Sequence, residues 1–236
     1  MKFTRGYWVN RPGVTVADCV QIRETRVEGN KLYIYSVPYA MDMRGMGGPV
    51  LEMYISSPRP DIIRTQAWHF MGSAKKVPQF ELDIQDCPLD VTEDEGAVTV
   101  KSGKTELRIT KSPASFTYYY DGKPLTKVGD KFGHSMLSYI TTPEGPFMRA
   151  QLDLGIGEKI YGLGERFTPF VKNGQVVDIW QEDGGTCSEI SYKNIPFYLT
   201  NKGYGVFVNS TGEVSYELCS EVVTRAQFSV PGEELD

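Results

Sequence analysis

The chain has 236 residues, room for one large domain or two small ones, and 40% of them are hydrophobic, enough for a substantial core. Lys and Arg number 25 against 30 Asp and Glu, a net charge of −5, and the cations are scattered, so the basic stripe that nucleic acid demands is missing. Four cysteines without a CxxC pair and two histidines, His69 and His134, give no zinc centre from local spacing, and no apolar run is long enough for a membrane span. The N-terminal "MKFTRGYWVNRPG" lacks the apolar stretch of a signal peptide. With cysteines that look unpaired, that predicts the reducing cytoplasm.

Taken in chain order, the elements read as strands. "VQIRETRVEGNKLYIYSVP" is two extended runs around Glu28-Gly29-Asn30, a turn signal. "VLEMYISS" and "DIIRTQAWHF" flank "PRP", whose prolines lack the amides of a central ladder. "TEDEG" (92–96) reads as an exposed loop. "AVTVKSGKTELRIT" alternates apolar residues on both sides of Ser102-Gly103, and "SFTYYYDGKPLTKV" does so around Asp121-Gly122; both are hairpin patterns. "GYGVFVNSTGEVSYEL" predicts a third hairpin through Ser210-Thr211-Gly212, and "TRAQFSV" a further strand. No stretch sustains the i, i+3, i+4, i+7 apolar spacing of a helix. Many short strands joined by tight turns, with 14 tyrosines and 24 glycines, predict one all-β domain. The expected architecture is a large antiparallel β-sandwich over 1–236 with few or no helices. The closing "SVPGEELD" leads to the expectation that this domain is a piece of a longer polypeptide.

Several motifs invite chemistry. "LGIGEKIYGLGERF" (154–167) resembles a nucleotide loop, but Gly155-x-Gly157 is followed by Ile160 where a third glycine is needed, and no helix pattern follows. A glycine-permitted turn or bulge beside packed strands is the better reading. Glu165-Arg166 reads as a structural clamp that orients the next loop. Asp178, Glu182, Asp183 and Glu189 are candidates for a glycosidase acid and base, against the plainer reading of a solvated acidic loop. Trp8 and Trp68 read as core, whereas Trp180, among polar neighbours, reads as a platform for a sugar ring. His134 reads as satisfying a local hydrogen bond.

Residues 152–209 carry a more specific signal. "YGLGERF", "DGGT", "YKNIPFY" and "GYGV" occur in this order and spacing, and the stretch resembles the N-terminal β-sandwich of family 31 glycoside hydrolases, in particular the bacterial α-xylosidase branch. The resemblance implies a galactose mutarotase-like sandwich ahead of a catalytic (β/α)8 barrel that carries both catalytic aspartates, so no catalytic residue, cofactor or metal is expected within 1–236. It also implies that "EDGGT" projects toward the barrel mouth. Asp183 and Thr186 would then bind substrate beside Trp180, and Gly184 and Gly185 would shape the loop. Gln181-Glu182 depart from the Asn-Arg expected there, exchanging a cation for an anion. "YGLGERF" and "YKNIPFY" would hold the loop by packing. The implied partners are an oligosaccharide and the chain's own barrel, with a homo-oligomer admitted for the full-length enzyme and no nucleic acid or membrane. The implied activity is retaining removal of terminal α-linked xylose by the full-length protein, the fragment alone being inactive. Two other readings stay open: a free-standing carbohydrate-binding module with Trp180 as platform, and a mutarotase-like epimerase using His69 or His134 with a glutamate.

Overall fold

A computed structural model describes residues 2–6, 9–38, 48–72, 78–129, 135–181 and 190–236. The strands in chain order are β1 (Thr15–Asp18), β2 (Gln21–Glu28), β3 (Lys31–Val37), β4 (Leu51–Ser56), β5 (Arg64–Trp68), β6 (Asp90–Glu93), β7 (Ala97–Ser102), β8 (Thr105–Lys111), β9 (Ala114–Tyr120) and β10 (Lys123–Gly129). They continue with β11 (Leu137–Thr142), β12 (Gly145–Asp153), β13 (Ile160–Gly162), β14 (Gln175–Ile179), β15 (Phe197–Thr200), β16 (Gly205–Phe207), β17 (Val214–Leu218), β18 (Arg225–Pro231) and β19 (Glu234–Leu235). Among the described residues there is no helix, and the all-β sandwich expected from the sequence is what forms.

Four antiparallel sheets result. Six strands run in the order β1-β11-β12-β18-β17-β14, five in the order β10-β9-β8-β7-β6, five in the order β19-β5-β4-β3-β2, and three in the order β13-β15-β16. Alternation explains the core. Met148, Ala150 and Leu152 of β12 join Ala226, Phe228, Val214 and Tyr216 on one face of the six-stranded sheet. Ile34, Met53, Val98, Leu107, Ile109 and Phe116 reach the same cluster from the five-stranded sheets. Burying a side chain of this size contributes about 1.5–3 kcal/mol.

Local turn chemistry correctly placed the turn at Gly29-Asn30 and the hairpins at Ser102-Gly103 and Asp121-Gly122. Asp121 and Gly122 both have positive φ (50° and 74°), the pair of left-handed residues that a tight two-residue hairpin needs. Two readings are corrected. Thr92 and Glu93 belong to β6, an edge strand paired with β7, rather than to a loop. The residues around Ser210-Thr211-Gly212 do not close a hairpin: β16 pairs with β15, while β17 lies between β14 and β18. The turn instead carries the chain between sheets.

The second face of the six-stranded sheet is polar yet covered. Arg149, Gln151, Glu217 and Gln227 are all buried there. Lys2 donates its backbone N–H to Glu217 Oε1 at 2.9 Å and Thr4 Oγ1 donates to Glu221 Oε1 at 2.7 Å. Gln227 Nε2 donates to Glu217 Oε2 (2.6 Å) and Glu221 Oε2 (2.7 Å). The N-terminal segment thus closes this face by hydrogen bonding, with Phe3 packed on Ile140 and Phe147.

Candidate functional site

The glycine-rich run 154–167 folds as a turn followed by a tight backbone crossing. Glu158 closes the turn. Its carboxylate is buried, accepts from Gly155 N (2.8 Å) and Tyr204 OH (2.7 Å), and pairs with Lys202 Nζ at 2.9 Å. After β13, Gly164 (φ +84°) passes so close to Lys193 that a Cβ would lie 1.9 Å from the Lys193 carbonyl oxygen. Only glycine allows both that φ and that approach. Leu163 N donates to Phe197 O at 2.9 Å and Glu165 N to Lys193 O at 3.1 Å, and Ser191 Oγ donates to Glu165 O. Segments 162–166 and 191–197, which carry most of "YGLGERF" and "YKNIPFY", are therefore zipped together.

Arg166 is the centre of this clasp. Its guanidinium donates from Nε to Leu163 O (3.3 Å), and from Nη2 to Asp178 O (3.2 Å) and Asn194 Oδ1 (2.5 Å). Burial pushes the Arg166 pKa down, and Asp178 opposes that shift. The clamp expected between Glu165 and Arg166 runs differently: Glu165 turns outward to Lys193 Nζ (2.8 Å), while Arg166 turns inward. Asn194 Nδ2 donates in turn to Ser191 O (2.7 Å) and Gln181 Oε1 (3.3 Å). One amide side chain thus joins the residue on which segment 182–189 begins to the residues on which it ends. Lys172, donating to Pro169 O (2.9 Å) and Thr168 Oγ1 (3.1 Å), is likewise held below the usual lysine range, by burial first and Arg166 second.

Of the residues singled out for binding, Trp180 follows β14 and is 51% exposed at the root of that segment. Asp178 is exposed and accepts a hydrogen bond from Ser215 Oγ on β17. Glu182, Asp183, Gly184, Gly185, Thr186 and Glu189 lie outside the described residues, as do Trp8 and His134. Trp68, expected in the core, is half-buried and meets Tyr54 edge-on at 6.1 Å. A shallow cleft of about 250 Å³ lined by Ile22, Arg23, Glu24, Thr25, Glu93 and Lys111 shares no residue with the clasp. Its charged lining does not suit the largely apolar enclosure of a small-molecule site.

Sequence reasoning found no glutamate partner for His69, and the structure has one. His69 Nδ1 lies 2.6 Å from Glu233 Oε2, its ring stacks on Tyr139 at 3.7 Å, and Tyr139 OH donates to Glu233 Oε1 at 3.3 Å. The two groups are each other's partner, which leaves no span for a sugar ring between acid and base. Among the described residues no group of three or more His, Cys, Asp or Glu is arranged to hold a metal ion. Cys19, Cys87 and Cys219 are free thiols.

The family model for the glycosyl hydrolase 31 N-terminal galactose mutarotase-like domain matches residues 52–217. The chain belongs to this family. An α-xylosidase of Emericella nidulans is 38% identical over 257 aligned residues, covering 100% of this chain and 33% of that protein. The α-xylosidase XylQ of Lactiplantibacillus pentosus is 37% identical, covering 100% of this chain and 31% of its own length. The family-31 chain thus spans about a third of the curated relatives it matches. Its fold is shared with the cycloalternan-forming enzyme of Listeria monocytogenes, with a TM-score of 0.75 at 17% identity over 94% of this chain and 21% of that one.

Proposed function

We propose that this chain is the substrate-orienting N-terminal domain of a retaining α-glycosidase that removes terminal α-linked xylose from oligosaccharides. The observation that carries the reading is that two α-xylosidases match the chain over its whole length at 37–38% identity. In this reading the nucleophile and the acid/base are carboxylates on a downstream (β/α)8 barrel, a chemistry that needs no cofactor. The domain contributes Asp183, whose two oxygens accept hydroxyl hydrogen bonds from the leaving-group side of the substrate. Gly184 and Gly185 give the segment its turn, Thr186 braces it and Trp180 offers a ring face at its root. The clasp of Gly164, Arg166, Ser191 and Asn194 supports the reading, because a single carboxylate can discriminate substrates only if its segment is fixed before binding.

The test compares the full-length protein with residues 1–236 on a xyloside-capped oligosaccharide and on an aryl α-xyloside. The full-length protein should release xylose as the α-anomer, and 1–236 alone should show no turnover. Turnover by 1–236 would place the catalytic carboxylates inside the sandwich and end the proposal.

A further inference from the structure

The outward face of the three-stranded sheet is apolar from edge to edge. Strand alternation sends Tyr198 and Thr200 of β15 into the core and leaves Phe197 and Leu199 outside. The register sets Phe207 opposite Phe197, and both Gly205 and Tyr161 opposite Leu199. The Phe197 ring lies over Gly205, where a Cβ would stand 2.5 Å from its Cζ, so the middle of the face is flat. Phe170 packs on Tyr161 with ring centroids 5.2 Å apart, and Phe80 on Phe207 at 5.7 Å, extending the surface at both ends. Phe170 is 78% exposed, Leu199 44% and Phe207 42%. With Phe80 and the adjoining Ile195, this exposes on the order of 500 Å² of apolar surface, at the upper end for a stand-alone domain and comparable with the centre of a stable interface.

We propose that this face is the seat of the catalytic module of a family-31 polypeptide, docked in cis, with Leu199 and Phe207 at the middle of the contact and Phe80 and Phe170 at its ends. The inference rests on the family-31 reading. Two observations select that occupant over a second copy of the chain. The relatives matched along this whole chain are about three times its length, so most of each one is polypeptide that must pack somewhere. The face is also continuous with the clasp: β15 receives Leu163 N at Phe197 O, and the same strand runs on from Asn194. A module seated here has the roots of segment 182–189 at its border.

Hydrogen exchange read by mass spectrometry, without substrate, tests the docking separately from the chemistry. Peptides covering 160–170 and 197–207 should exchange at least about tenfold more slowly in the full-length protein than in 1–236, a difference of about 1.4 kcal/mol in opening. Peptides covering 97–111 should not change. The double substitution Leu199→Asp/Phe207→Asp should abolish the added protection in the full-length protein while leaving the melting temperature of 1–236 within a few degrees. Equal exchange in the two proteins overturns the inference, as does a reading frame with no further module. It is equally overturned if sedimentation shows 1–236 as a dimer that the same double substitution disperses, since a second copy would then own the face. Failure of xyloside hydrolysis with protection intact would sink the proposed activity and leave the docking standing.

Discussion

Replacing Asn194 by alanine removes a side chain that bonds to both Gln181 and Ser191, at the two roots of segment 182–189. It removes the acceptor of the 2.5 Å bond from Arg166 Nη2 and the donor of the 2.7 Å bond to Ser191 O; the 3.3 Å contact with Gln181 adds little. A charge-assisted bond is worth about 1.5–3 kcal/mol and a neutral one about 1 kcal/mol. Both Arg166 and Asn194 are half-buried, so water recovers part of the loss, and a net cost of about 2 kcal/mol is expected. For a domain of this size that lowers Tm by roughly 4–8 °C, with the far-ultraviolet spectrum unchanged because no strand is touched. Asn194→Asp keeps an acceptor for Arg166 and loses the donor to Ser191 O and Gln181 Oε1, so it should recover at least half of the loss. Calorimetry of 1–236 measures the first quantity, and limited proteolysis between 181 and 191 measures local opening. A cost below about 0.5 kcal/mol with unaltered cleavage would refute the idea that Asn194 holds the roots.

Gly164→Ala should cost far more than Gly157→Ala, although both have positive φ (84° and 75°), because a Cβ at 164 meets the Lys193 carbonyl at 1.9 Å and one at 157 meets nothing within 4 Å. Urea midpoints should show about 1–2 kcal/mol for the second and at least twice that for the first; equal costs would contradict the close crossing. Burial pushes the Cys19 thiol up to about 12, so at pH 8 a thiol reagent should label Cys87 and leave Cys19 until the domain unfolds. Rapid labelling of Cys19 in the folded protein would be the contrary result. Burial also raises the phenols of Tyr198, Tyr204 and Tyr216 above 10. The unfolded chain ionises these groups near pH 10 while the folded one keeps them neutral, so their contribution is whole below pH 10 and is lost as pH rises above it. Urea titrations between pH 9 and 11.5 should show stability falling by up to about 1.4 kcal/mol per pH unit for each phenol, and a flat profile would contradict it.

The hairpins at Gly29-Asn30, Gly103 and Asp121-Gly122 were legible because a turn and its two strands are adjacent in the chain. The turn at Ser210–Gly212 has the same local chemistry, yet β16 and β17 find partners in different sheets. Which strand a strand joins is decided by tertiary packing, which turn residues do not report. The charges of β6 looked like loop because an edge strand carries charge to resist further pairing. The alternation of Arg149 and Gln151 with Met148 and Ala150 looks like a wet outer face, yet both are buried: Gln151 donates to Ser135 O and Arg149 to Ser138 Oγ, while Glu217 on the same face is held by Lys2, 215 positions away in the chain. For the site, the motifs marked two segments, 162–166 and 191–197, that the structure joins to each other. The Arg166–Asn194 link and the His69–Glu233 pair join residues 28 and 164 positions apart, and no local pattern marks either.

The role proposed for Asp183 is tested most directly by the full-length Asp183→Asn protein, assayed on a xyloside-capped oligosaccharide and on an aryl α-xyloside. An aspartate that binds only the leaving-group sugar predicts that kcat/KM on the oligosaccharide falls at least about tenfold, about 1.4 kcal/mol, with the aryl xyloside changed less than about twofold. Equal kcat/KM ratios for the two substrates, before and after the substitution, would contradict it.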